Sequence, residues 1–247
     1  MYQAPRGARY VPPEIFVEGN QLEAVKTFKY LGSIVSDSNS MDEEITTRLV
    51  RANSAFNALT KRLWCKNGIR TGTKIFVYKA AVISTLLYGS EAWTLTKRQI
   101  RKLEKFHLTC LRKIARIRWY HKVPNYMVLK RCHVLSVTSM LDRNKLRWTG
   151  HVVRMADDRI PKRILYGQLA RGYSRQGNHL TYMNSLRKTL RICGVEGHNL
   201  ENLASDRSLW RHVVNAGIED AEKGVLAGLE EKYLYNREKR LARMAQN

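Results

Sequence analysis

Two kinds of side chain in this sequence could do chemistry, and they differ in how well their spacing serves it. The first is acidic. Asp157 and Asp158 are adjacent, and paired carboxylates can help hold the divalent ions that clamp the attacking and leaving oxygens of a phosphoryl transfer. Here, however, the pair follows a helical apolar pattern and is followed by Arg159-Ile160-Pro161, so it reads as an acidic loop at a helix end. His107 with Cys110, Cys132 with His133 and Cys193 with His198 are pairs without the C-x-x-C or H-x-x-H framework of a zinc site. Nucleophilic triads and Gly-rich phosphate loops are not recognisable. No catalytic residue, metal ligand or cofactor is expected.

The second chemistry is cationic. The 247 residues hold 44 Lys and Arg against 21 Asp and Glu, a formal charge of +23, which implies a polyanionic partner. A small-metabolite enzyme rarely carries such an excess. RNA or DNA, bound without sequence preference, is the simplest partner, and a ribosomal-type surface or an anionic membrane is more distant. The excess is also concentrated. From Lys97 to Arg118 there are nine basic residues and one acid, Glu104. Ile100, Leu103, Phe106, Cys110, Ile114 and Ile117 keep a helical period there, with Arg101, Lys102, Lys105, Arg112, Lys113 and Arg116 opposite. The five from Lys102 to Arg116 are expected on one side of that helix, as point charges on phosphates. A later helix carries Arg143, Lys145, Arg147 and Arg154, and its three arginines are expected to extend the same surface. The competing binding element is a Gly- and Arg-rich stretch with Lys162, Arg163 and Arg171.

These side chains must be positioned by a mainly α fold. A polar leader ends near Pro13, and Ile15 to Val35 reads as a short N-terminal β-hairpin with a Gly19-Asn20 turn. Ile45, Leu49, Ala52, Phe56, Leu59 and Leu63 then form one buried helical stripe. Ile75 to Leu87 is apolar on nearly every side, as the central helix of a bundle. Thr96 with Gln99 is a capping-box signature, Pro124 breaks the chain, and Ser136 caps the next helix. Residues 160–179 read as a flexible basic linker. Beyond it come a helix around Met183, Leu186 and Leu190, a second led by Asp206, and a closing mixed-charge helix from about Leu229. The division expected is 1–36 leader and β element, 37–160 basic helical bundle, 161–180 linker and 181–247 a smaller C-terminal helical region. Four scattered cysteines are expected as reduced thiols in helix cores. No signal-like apolar segment follows Met1, and the longest apolar stretch is far short of a membrane span. An intracellular protein of nucleus or cytoplasm is expected, neither secreted nor bound to membrane.

Four ordered strings resemble a known family. They are Phe28-Lys29-Tyr30-Leu31-Gly32-Ser33; Leu87-Tyr88-Gly89-Ser90-Glu91-Ala92-Trp93; Leu146-Arg147-Trp148-Thr149-Gly150-His151-Val152-Val153-Arg154-Met155; and Asp206-Arg207-Ser208 with Trp210-Arg211. Together they resemble the C-terminal, thumb and post-thumb region of a LINE-type non-LTR retrotransposon endonuclease–reverse transcriptase of the jockey/RTE kind. Physically, Gly32 lets a strand turn, Gly89 ends a helix, and Trp93, Trp148 and Trp210 suit anchors between helices. His151 is expected to pack or to meet a phosphate. The resemblance implies a thumb-like bundle on a template–primer duplex. In that family the catalytic Asp-Asp hairpin lies before the first string, and only 27 residues precede Phe28. The palm is therefore expected to be absent, with no polymerase or nuclease activity and with that palm as a possible partner. Two readings stay open: a non-catalytic piece of a retrotransposon polymerase, and a domesticated host protein using the bundle as a protein or chromatin interaction module.

Overall fold

The structure is a computed structural model that describes residues 14–23, 25–37, 40–170 and 182–245. Among these the fold is mainly α, with β structure confined to the N-terminal end. The β element is two hairpins where one was expected: β1 (Phe16–Val17) pairs with β2 (Asn20–Gln21), and β3 (Thr27–Tyr30) with β4 (Ser33–Ser36), both antiparallel. Each turn uses two left-handed residues in succession, Glu18 and Gly19 in the first, Leu31 (φ 47°) and Gly32 (φ 86°) in the second. Two-residue turns of that hand match the twist of the strands they join, and glycine adopts it without steric cost.

Helices follow in order: α1 (Asp42–Ala58), α2 (Thr71–Val77), α3 (Ser84–Leu86), α4 (Lys97–Ile114), α5 (Asn125–Cys132), α6 (Val137–Val153), α7 (Ile160–Ala170), α8 (Tyr182–Ile192), α9 (Leu200–Ser205) and α10 (Arg207–Ala245). A wide π-type stretch, Tyr78–Ile83, joins α2 to α3. One first core gathers Ile45, Phe56, Tyr78, Leu86, Leu103 and Ile114 from α1 to α4, with α5 and the start of α6. The expected α1 stripe is there, its Ile45, Ala52 and Phe56 fully enclosed. The Ile75 to Leu87 segment is central, but only on one side. Ile75, Tyr78, Val82 and Leu86 are buried, whereas Phe76 stands in solvent.

The second core joins the end of α6 to α7, α8, α9 and α10 through Leu146, Val153, Leu165, Leu186 and Trp210. Helix α6 therefore belongs to both cores, its Val137, Met140 and Leu141 to the first and its Leu146 to Val153 half to the second. Of the expected linker at 161–180, the described part, up to residue 170, packs into the second core through Leu165. Residues 160–170, expected as linker, form α7 with Leu165 buried; residues 171–180 lie outside the described residues. The two C-terminal helices expected after Asp206 are one, the 39-residue α10. No helix among the described residues is long and apolar enough to cross a membrane.

Candidate nucleic-acid interface

Helix α4 begins at a capping box. Gln99 N–H donates to Thr96 Oγ1 (3.3 Å), and Thr96 N–H to Gln99 Oε1 (2.9 Å). Its inner side is fixed by more than apolar packing. His107, fully buried, meets Tyr78 Oη through Nδ1 at 2.9 Å and the Leu135 carbonyl through Nε2 at 3.2 Å. The carbonyl can only accept, so Nε2 carries the proton and Nδ1 accepts from the tyrosine. Burial pushes His107 down to about 4, with the Lys79 charge adding to it. Glu104 accepts Val137 N–H at 2.9 Å at the start of α6, and its burial raises it to about 6. The helix is thereby locked in rotation, which decides what its outer side presents.

That outer side carries Lys97, Arg98, Arg101, Lys102, Lys105, Thr109 and Lys113, all exposed. Thr109 is the one uncharged member. Arg98 Nη2 is 2.9 Å from Asp42, whose carboxyl is held below its usual value first by a hydrogen bond from Gln99 and then by Arg98. Lys113 lies over the Phe56 ring at 5.7 Å. The last two expected cations are less free. Arg112 donates to the Val123 carbonyl and Asn125 Oδ1, both at 2.8 Å. Arg116, beyond the helix end at φ 56°, donates to the Cys65 carbonyl at 3.1 Å and to Asn67 Oδ1. Lys102, Lys105 and Lys113 are thus exposed on one side of α4, while Arg112 and Arg116 spend part of their hydrogen-bonding capacity on loops.

Of the three α6 arginines expected to extend that surface, Arg143 and Arg154 are half-buried and engaged by neighbouring helices. Arg143 is half-buried and Nε lacks a hydrogen-bond partner; burial and the Arg147 charge lower its pKa, while Glu219 of α10 opposes them. Arg154 donates to the Ala204 carbonyl at 2.5 Å at the end of α9, and its neighbouring charge is Arg207 of α10. Lys145 is buried and donates to Ser185 Oγ of α8 at 2.5 Å. Arg147 alone of these stays exposed. The physical reason is that α6 is enclosed by α4 on one side and by α8, α9 and α10 on others, so its cations serve packing.

The four sequence strings meet in pairs. In the first pair, Arg48 of α1 donates to Gly32 O (3.1 Å) and Ser33 Oγ (2.9 Å), lies 4.8 Å from the Tyr88 ring centre, and is ion-paired to buried Glu44 at 2.7 Å. Gly89 takes φ 74° beside Ser33, as expected of a helix end. Phe28, Tyr30, Leu31 and Tyr88 are themselves exposed. In the second pair, Trp210 Nε1 donates to Leu146 O at 3.0 Å, and a Cβ on Gly150 would stand 2.1 Å from that nitrogen. Asp206 Oδ1 accepts the N–H groups of Ser208 (2.6 Å) and Leu209 (3.1 Å), capping α10 ahead of Arg207. Trp93 and Trp210 are the expected anchors. Trp148 is not: it is 37% exposed and tilts against exposed His151.

Asp157 is ion-paired to Lys162 at 2.7 Å in the turn after α6, beside exposed Asp158. No group of three or more His, Cys, Asp or Glu is placed to hold a metal among the described residues. Cys110 and Cys132 are buried, as expected, but Cys65 is exposed. A cleft of about 830 Å³ between α6, α7 and α9 is lined by Arg154, Lys162, Arg163, Asp157 and Glu201. Its mixed charge makes it a poorer phosphate site than α4.

The chain is similar to a transposon-derived protein of Caenorhabditis elegans, 25% identical over 206 residues, which cover 78% of this chain and 72% of the relative. No family model matches the chain. No solved structure matches it.

Sequence reasoning missed three groups. Glu44 and Arg48, at i and i+4, look like an ordinary surface pair. Glu222 sits in a mixed-charge run, yet it is buried and accepts from Ser136 N (2.9 Å), Ser136 Oγ (2.7 Å) and Ser139 Oγ (2.5 Å). The third is the Trp119-Tyr120 turn, whose signal was aromatic residues inside a basic run.

Proposed function

We propose that this chain is a nucleic-acid-binding protein of transposable-element origin that grips the sugar–phosphate backbone of RNA or DNA through the outer face of α4. The observation that carries the reading is the exposed set Arg101, Lys102, Lys105 and Lys113 on a helix whose inner side is locked by His107 and Glu104. A rigid row of cations positions phosphates without reading sequence. Similarity to a transposon-derived protein supports the origin. The finer reading, a thumb and post-thumb region of a LINE-type reverse transcriptase acting on template–primer, is supported by the way the four strings pair in space.

On this reading the chain does no polymerase chemistry of its own. The binding test is anisotropy with labelled DNA duplexes and an RNA–DNA hybrid of unrelated sequences. Affinities should agree across sequences and fall steeply with salt, each neutralised phosphate contributing roughly 0.9 to the log–log slope on duplex DNA. Salt-independent or strongly sequence-selective binding would overturn it. Primer extension with magnesium or manganese should give no product. Incorporation abolished by Asp157→Asn with Asp158→Asn would make that pair a real site, and incorporation surviving it would place the chemistry elsewhere in the chain.

A further inference from the structure

We propose that Trp119, with Tyr120 beside it, is a stacking platform for an unpaired base of a nucleic acid whose backbone lies on α4; this rests on the α4 reading and adds a single-strand site to it. Of the five tryptophans, Trp64, Trp93 and Trp210 are buried and Trp148 is half-covered. Trp119 is 86% exposed, more than any other large apolar side chain among the described residues, and Tyr120 is 59% exposed. Leaving a whole indole in water forgoes the burial that normally places tryptophan inside a protein.

The turn that presents it is built. Residues Trp119–His121 form one 3-10 turn after α4. Its backbone bonds run from His121 N–H to Arg118 O (3.1 Å) and from Lys122 N–H to Trp119 O (3.2 Å). Arg118 N–H donates to His121 Nδ1 at 3.0 Å, and Lys122 closes the turn in the left-handed region at φ 49°. Arg112 ties the following Val123 carbonyl back to α4 at 2.8 Å. The indole meets Tyr120 edge to face rather than stacked, centroids 5.9 Å apart, and at 86% exposure it keeps an open face for a base.

The surroundings decide the occupant. Between Glu104 and Asp142 lie 37 residues without an acid and with eight Lys or Arg, among them Arg116, Arg118 and Lys122 around the turn. A second copy of the chain would bring a like charge to the same place. A membrane-bound helix needs an apolar side to bury, and the exposed side of α4 offers cations and Thr109. Aromatic rings among cations are what single strands stack on, because every base has a π-face and only an unpaired one leaves it open. Paired bases inside a duplex do not.

The test compares the wild-type chain with Trp119→Ala and Trp119→Phe on labelled oligo-dT and on a blunt duplex, over a salt series. Trp119→Ala should weaken strand binding roughly 5- to 150-fold, the range of one stacked base, and leave the salt slope unchanged. Duplex affinity and the melting temperature should stay as in wild type, and Trp119→Phe should keep most of the strand affinity. Unchanged strand binding by Trp119→Ala overturns the platform while leaving the α4 reading standing. A wild-type chain that binds neither probe overturns both. Equal loss on strand and duplex makes Trp119 a backbone contact and overturns stacking. Retention of phosphatidylserine vesicles, or dimerisation in sedimentation velocity, that depends on Trp119 while strand binding does not, assigns the tip to a membrane or a second copy instead.

Discussion

Helices α4 and α6 each space basic residues three, four or seven apart, and in the sequence the two rows look alike. In the fold they have opposite fates. The α4 row faces solvent because the neighbours of that helix, α1, α2, α5, the Tyr78–Ile83 stretch and the start of α6, leave its outer side uncovered. The α6 row meets neighbours along most of its length: Arg143 near Glu219, Lys145 on Ser185 and Arg154 on Ala204. The number of partners a helix has, more than its own pattern, decides whether a cation is free to bind a ligand.

The comparison can be broken first at the seam between α6 and α10, where the largest effect is expected. Gly150→Ala places a methyl within 2.3 Å of two atoms of the buried Trp210 ring, and Trp210→Ala leaves a cavity in its place. Trp210→Ala should cost about 3–5 kcal/mol and Gly150→Ala about 1–3 kcal/mol, each read as a lower midpoint in urea unfolding. A change under about 1 kcal/mol in both would mean that α10 does not pack on α6.

The inner side of α4 gives the next effect, through pH. The folded pKa of His107, about 4, lies below its ordinary 6.5, so the unfolded chain binds a proton that the folded chain refuses. Its stabilisation is complete above 6.5 and is lost as pH falls towards 4, about 3 kcal/mol in all. Glu104, raised from 4.5 to about 6, acts the other way, since the folded chain takes up its proton first between those values. Glu104→Gln keeps an acceptor for Val137 N–H and removes the offset. The variant should be more stable at pH 7 and should lose stability more steeply between pH 6 and 4.5. The same steepness in variant and wild type would remove Glu104 from the account.

Smaller again is the effect of Arg143→Glu, which sets a carboxylate near Glu219 in a half-buried seam and should destabilise by about 1–3 kcal/mol. The matching change at exposed Arg147 should stay within about 0.5 kcal/mol. Equal costs at the two positions would erase the distinction drawn within α6.

Much of the fold was legible because local rules and packing agree there. The Thr96–Gln99 capping box, the Ser136 cap, the Asp206 cap and the α1 stripe each have a fixed offset that only a helix uses. Residues 160–170 were misread because Lys162, Arg163 and Gly167 continue into the Gly- and Arg-rich composition of the stretch that follows. Pro161, second in α7, is harmless there because a helix start leaves its N–H groups free anyway. The helix led by Asp206 and the closing helix run on as one α10, and within it Gly217 allows close approach to Cys193, whose Cβ lies 2.7 Å from where a Cβ on Gly217 would stand. In the candidate site, one helix's pattern located the α4 row. It could not tell Arg143 and Arg154 from it, because their partners lie 50 or more residues away in the chain.

The most direct test reverses Arg101, Lys102 and Lys105 to Glu together and measures duplex affinity across a salt series, beside Lys162→Glu with Arg163→Glu. The α4 triple should weaken binding to all duplexes alike and lower the salt slope by as much as about 2.7, three contacts at roughly 0.9 each, with an unchanged melting temperature. Affinity and slope unmoved by the triple, but collapsed by the Lys162 and Arg163 pair, would contradict the assignment of the interface to α4.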